Sequence, residues 1–155
     1  MSVRVPTLAE ILVDQAALYE ELLGVLTEEE AALIRGDSEA VAATLPRKDS
    51  LTVRIRLLEM SRQATVLRLT GRADTRLRDL PNADAGELGT ARARLTAVLH
   101  RVERANRRVE ALLTRALSRL RNTLELVHDA LGGGRRYTAT AQLVTAGART
   151  LDGRV

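Results

Sequence analysis

The chain has no cysteine, no tryptophan and no phenylalanine, and only two tyrosines among its 155 residues. Without cysteine there is no disulfide framework, no thiolate zinc site and no cysteine nucleophile. So few rings argue against an α/β enzyme, whose core and ligand pocket normally use large aromatic side chains. Long apolar runs are missing too, since none approaches the roughly 18 residues that a bilayer span needs. The opening Met1-Ser2-Val3-Arg4-Val5-Pro6 leads into a segment carrying Glu10, Asp14, Glu20 and Glu21, so a signal-peptide apolar region is lacking as well. These absences predict a soluble cytoplasmic protein with no membrane insertion.

What is present is leucine, alanine and valine, with arginine and glutamate filling most of the remainder. That composition favours helices over strands and thin bundles over thick cores. The length suits one domain with a buried core. Lys48 is the only lysine among 24 basic residues. The net charge of +4 hides an asymmetry. Residues 1–45 hold two arginines against nine carboxylates, a net −7, so the remainder carries +11. An excess of arginine invites a nucleic-acid reading. An acidic helix packed beside a basic one explains it equally well, and no stacking aromatics or reading motif accompany the arginines.

Helix signals divide the chain. Thr7-Leu8-Ala9-Glu10 is a capping box, and Leu8, Ile11, Leu12, Gln15, Leu18, Tyr19, Leu22, Val25, Leu26 and Leu33 follow at three- and four-residue steps. Gly36 after Arg35 is a stop, so the first helix is expected over about 7–35. A second stretch starts at Asp37 or Ser38 and runs to about 70. Pro46 is expected to break or kink it, with helix resuming at that proline. Leu51, Ile55, Leu58, Thr65 and Leu69 are expected to face inward. Residues 71–86, with Gly71, Pro81, Asn82, Asp84 and Gly86, read as a connection with little periodicity.

The third helix is expected over about 87–131, a rod of about 65 Å at 1.5 Å per residue. Its stripe is Leu88, Leu95, Val98, Leu99, Val102, Val109, Leu112, Leu113, Leu117, Leu120, Leu124, Val127 and Leu131. Gly132-Gly133-Gly134 is the expected stop. Beyond it, Leu143, Val144 and Leu151 are too sparse for a core, which predicts a flexible tail over 135–155. The fold class is therefore all-α: an elongated antiparallel, coiled-coil-like bundle of three main helices over 1–134, followed by that tail.

Chemistry is hard to find. His100 and His128 stand 28 positions apart on one helix and cannot share a metal. Glu28-Glu29-Glu30 has no matching ligand set and reads as a solvated face. Gly132-Gly133-Gly134-Arg135-Arg136 follows a helix instead of preceding one, so it cannot cradle a phosphate as a phosphate loop does. No nucleophile-and-base arrangement is visible. Neither an enzyme nor a cofactor nor a metal is expected. The surplus is apolar: a first helix of 29 residues leaves roughly 20 Å of the third with less cover. Leu120, Leu124, Val127 and Leu131 fall on that overhang, where a partner helix would bury them.

The order of these features resembles the FlgN-type flagellar export chaperones. Leu8-Ala9-Glu10-Ile11-Leu12 and the acidic stretch before Gly36 resemble that family's first helix. Lys48-Asp49-Ser50-Leu51 is similar to its Lys-x-x-Leu turn. Asn106 matches the first of two family asparagines, Val109 replaces the second, and Leu112-Leu113 supplies the double leucine that follows; Arg119, Leu124 and Glu125 continue the match. Tyr137 stands where many members place Tyr-Gly-x-x-Gly, although Thr138 and Ala141 replace both glycines. The resemblance implies a cytoplasmic chaperone of the type III export system that binds hook–filament junction proteins of the FlgK and FlgL type. It also implies cargo contacts near Leu120, Leu124, Val127 and Leu131, with Tyr137 as a candidate contact to the export gate protein of the FlhA type. A generic coiled-coil adaptor, or a helical protein associated with nucleic acid, are the alternatives, and the free form could equally be a monomer or a homodimer.

Overall fold

The computed structural model describes residues 6–72 and 74–136. Its regular elements are three α-helices, α1 (Leu8–Arg35), α2 (Ser38–Thr70) and α3 (Gly86–Arg136), with a 3₁₀ turn at Leu77–Asp79 before α3. No strand occurs among the described residues, so the fold is all-α. The chain divides into two units, residues 1–113 and 114–155.

In the first unit α1 begins with the reciprocal cap that its sequence predicts. The Glu10 amide donates to Thr7 Oγ1 at 3.2 Å and the Thr7 amide donates to Glu10 Oε2 at 2.7 Å. The helix ends at Gly36, whose left-handed φ of 69° lets its N–H reach the Ala32 and Leu33 carbonyls. Asp37 then caps α2, its Oδ1 accepting from the Ala40 amide at 3.0 Å. Two residues therefore reverse the chain. The pairs Glu28–Arg47, Glu21–Arg54 and Gln15–Glu59 descend along α1 while they ascend along α2, so the two helices are antiparallel. α3 returns parallel to α1, as Glu20–Arg94 and Glu30–Arg108 show.

α1 is the shared element of the core. Leu12 and Ala16 pack with Ala91, Leu95 and Val98, and Leu26 packs with Ala105 and Val109, all on α3. Leu18 and Val25 pack with Leu51 of α2. Both seams follow from three- and four-residue spacing, which places successive apolar side chains on adjoining faces of one helix.

Four details add to or depart from the sequence-based expectation. Pro46 does not interrupt α2, which is continuous through it. Its ring and Ala42, whose carbonyl loses a partner, both lie on the exposed side, where water can satisfy that carbonyl. Leu69 is 65% exposed instead of facing inward. Val66 packs with Leu8, the first residue of α1, so no turn of α1 lies opposite Leu69.

The connection between α2 and α3 is packed against the helices. Leu80 and Ala83 join Leu8 and Val66 in one buried cluster, with Leu77 and Leu88 against it. Turns linking the Leu80 amide to Leu77, Ala83 to Leu80 and Ala85 to Asn82 satisfy its backbone. It closes directly onto α3, because a Cβ on Gly89 would come within 2.4 Å of the Asp84 carbonyl carbon and oxygen. Lastly, α3 runs past the expected stop at Leu131, through the three glycines to Arg136. Glycine in a helix costs only about 1 kcal/mol relative to alanine, so it discourages continuation without forbidding it.

Candidate partner-binding site

The charge asymmetry of the sequence resolves into ion pairs between helices. Arg94 Nη2 donates to Glu20 Oε2 at 2.8 Å and Arg108 Nε to Glu30 Oε1 at 3.0 Å, joining basic α3 to acidic α1. Arg94 holds the Glu20 carboxyl below the usual carboxylate range, and the hydrogen bonds from Arg47 do the same to Glu28. Glu28-Glu29-Glu30 is therefore not the solvated face expected of it. Glu28 pairs with Arg47, Glu29 with Lys48 and Glu30 with Arg108. Three consecutive residues diverge by about 100° each around a helix, so the triplet reaches both neighbouring helices. Glu29 is 1% exposed and receives Lys48 Nζ at 2.8 Å, which gives the only lysine a structural partner.

A second polar cluster sits between α1 and α2. Glu59 accepts from Gln15 Nε2 at 3.1 Å, from Arg62 Nε at 2.8 Å and from Gln63 Nε2 at 3.0 Å. The Arg62 hydrogen bonds, joined by those from the two glutamines, outweigh burial and lower the Glu59 pKa. Burial, followed by the neighbouring Glu59 charge, raises that of Tyr19. The cluster orients side chains across the helix interface. No group of three or more histidine, cysteine, aspartate or glutamate residues that could hold a metal occurs among the described residues. His100 and His128 are both exposed. No described helix is long and apolar enough to cross a membrane.

In the second unit the picture changes. Every residue of α3 from Thr114 to Leu131 is exposed, although its leucines keep helical spacing. Leu120, Leu124, Val127 and Leu131, singled out from the sequence, are 58%, 60%, 48% and 74% exposed. They fall on one face of the helix, which the sequence list left incomplete. Leu117, 65% exposed, belongs to the same seam. The steps from 117 to 120, 124, 127 and 131 alternate three and four, the spacing of a coiled-coil seam, and that alternation was the signal for including Leu117. Leu117, Leu120, Arg121, Leu124, Glu125, His128 and Asp129 line a shallow groove along this face. Tyr137 lies outside the described residues. An amphipathic helix laid along the seam would remove five large apolar side chains from water, several kcal/mol before ordering costs.

No curated protein and no solved structure matches the chain. The family model described as FlgN protein matches residues 1–145. With nearly the whole length matched, and with a helical unit followed by an uncovered apolar helix face, the chain belongs to the FlgN family of flagellar export chaperones.

Proposed function

We propose that this chain is a cytoplasmic chaperone that binds the amphipathic helical termini of hook–filament junction proteins of the FlgK and FlgL type. It keeps them from assembling early and delivers them to the type III export gate. Leu120, Leu124, Val127 and Leu131, extended by Leu117, form the cargo-binding face, and Tyr137 is the residue that meets the gate protein of the FlhA type. The observation that carries the reading is the exposed three-four seam on α3 beyond Leu113. Cargo termini that pair with other helices in the filament must have their apolar faces covered beforehand, and a bare seam covers them reversibly without ATP.

The test is isothermal titration of the full chain with the C-terminal segment of a hook–filament junction protein. The Leu120→Asp/Leu124→Asp variant should lose binding by at least tenfold while retaining helical circular dichroism, because both substitutions fall on exposed positions. Removing residues 132–155 should weaken cargo or gate binding and leave helicity largely intact. Unchanged binding in both variants would overturn the proposal and leave a coiled-coil adaptor without an export role.

A further inference from the structure

We propose that a second copy of this chain covers the outer face of α2, the two α2 helices lying parallel. The inference stands on the first unit alone and does not draw on the cargo-binding reading. α2 carries two apolar faces. One turns Leu51, Ile55 and Leu58 towards α1. The other holds Val53, Leu57, Met60, Ala64 and Leu67, all of them exposed, the four larger side chains by between 46% and 61%. Their steps of four, three, four and three are those of a coiled-coil seam. At about 100° per residue, all five fall within a sector of about 80°. α1 lies against the first face, so it leaves the second uncovered.

The borders of this seam complement each other. Asp49, Arg56 and Gln63 stand at successive heptad positions along one border, and Arg54, Ser61 and Arg68 along the other. A parallel pair sets one border against the other, each residue meeting the one five places further on in the second copy. Asp49 then meets the copy's Arg54, Arg56 its Ser61 and Gln63 its Arg68, and the two-fold axis repeats every contact. None of these pairs sets like charges together. Asp49 is exposed and belongs to no ion pair among the described residues. Glu21 of α1 lies 3.3 Å from Arg54, but a guanidinium has five donors and accommodates a second carboxylate. Asp14 of α1 lines the groove along Leu57 and Leu58, on the side that the copy's Arg56 approaches. An antiparallel pair sets each border against itself, which leaves Asp49 opposite Thr70 and Arg56 opposite Gln63. A face that holds both halves of its own contact is what a two-fold interface between identical chains requires. With its borders the pair buries about 1,000 Å², the lower bound for a specific contact, so the dimer is a weak one.

Sedimentation equilibrium of the full chain up to about 100 μM should show a reversible dimer. Leu57→Asp/Met60→Asp should weaken it at least tenfold while helical circular dichroism is kept, since both positions are exposed. Asp49→Arg should weaken it about fivefold, the scale of two exposed pairs changing sign. Leu124→Asp, in the second unit, should leave it in place. The chain has no cysteine, so Val53→Cys and Leu67→Cys each supply a single thiol, two heptads apart on the seam. Both should cross-link to the same residue of the second copy under mild oxidation, which only a parallel pair in register allows. A chain that stays monomeric overturns the proposal. So does a dimer that Leu124→Asp dissolves or that Leu57→Asp/Met60→Asp leaves intact. Failure of either thiol to cross-link, or an Asp49→Arg dimer as tight as that of the parent chain, overturns the parallel pairing. A monomer that dimerises only once residues 137–155 are removed, or that loses cargo through Leu57→Asp/Met60→Asp, gives the face to those residues or to cargo and overturns it equally.

Discussion

Gly86–Leu113 and Thr114–Arg136 belong to one helix and contain five leucines each. In the first stretch Ala91, Leu95, Val98, Ala105 and Val109 are buried against α1. In the second, nothing from Thr114 to Leu131 is. The two differ in their neighbours more than in their own pattern. Apolar periodicity states that a face wants covering; whether the cover comes from the same chain depends on where the other helices end.

The contrast is broken most directly by deleting buried volume in one unit and exposed volume in the other. Leu12→Ala, at a side chain with no exposure, should cost about 2–5 kcal/mol in urea unfolding. Leu124→Ala should change stability by no more than about 0.5 kcal/mol while weakening cargo binding. Equal losses of stability would mean that the seam is covered within the molecule.

A smaller effect is expected at the buried ion pair of the first unit. Lys48→Ala leaves the Glu29 carboxylate, 1% exposed, without its 2.8 Å partner. The expected cost is about 1–3 kcal/mol, at the low end for a buried pair because the Lys48 side chain keeps a quarter of its exposure. Wild-type stability in this variant would show the triplet to be a solvated face after all.

The smallest effect is one of pH. Hydrogen bonds from Arg62, Gln15 and Gln63 lower the Glu59 pKa in the folded state. Its contribution is therefore fully present above the ordinary glutamate value of about 4.3 and is lost as pH falls through the lower folded value. Glu59→Gln should lower stability modestly at neutral pH and flatten the acid limb below about pH 4, so that the two profiles converge at low pH. Such a change reports on the α1–α2 interface, so cargo affinity at neutral pH should not follow it. An acid limb as steep as that of the parent chain would place the acid sensitivity elsewhere.

Much of the fold was legible because its signals are local. The Thr7–Glu10 cap, the stop at Gly36 and the α1 stripe each depend on residues within one or two turns, which backbone geometry relates directly to sequence. The packed connection was less legible. Leu77, Leu80 and Ala83 recur at intervals of three, a short pattern easily lost among Gly71, Pro81, Asn82 and Gly86. The partners of Glu28, Glu29 and Glu30 could not be read at all, since they lie on two other helices.

The candidate face divides in the same way. Leu120, Leu124, Val127 and Leu131 were identifiable as one stripe because 3.6 residues make a turn, and nothing beyond the sequence is needed for that. Sequence by itself thus determined the helices, their caps and which side chains share a face. The tertiary structure decided which faces are used: α2 and α3 cover α1, Glu29 is buried on Lys48, and the seam from Leu117 to Leu131 is exposed. Burial is a relation between segments far apart in the chain, and it is fixed only when their lengths and directions are set in space.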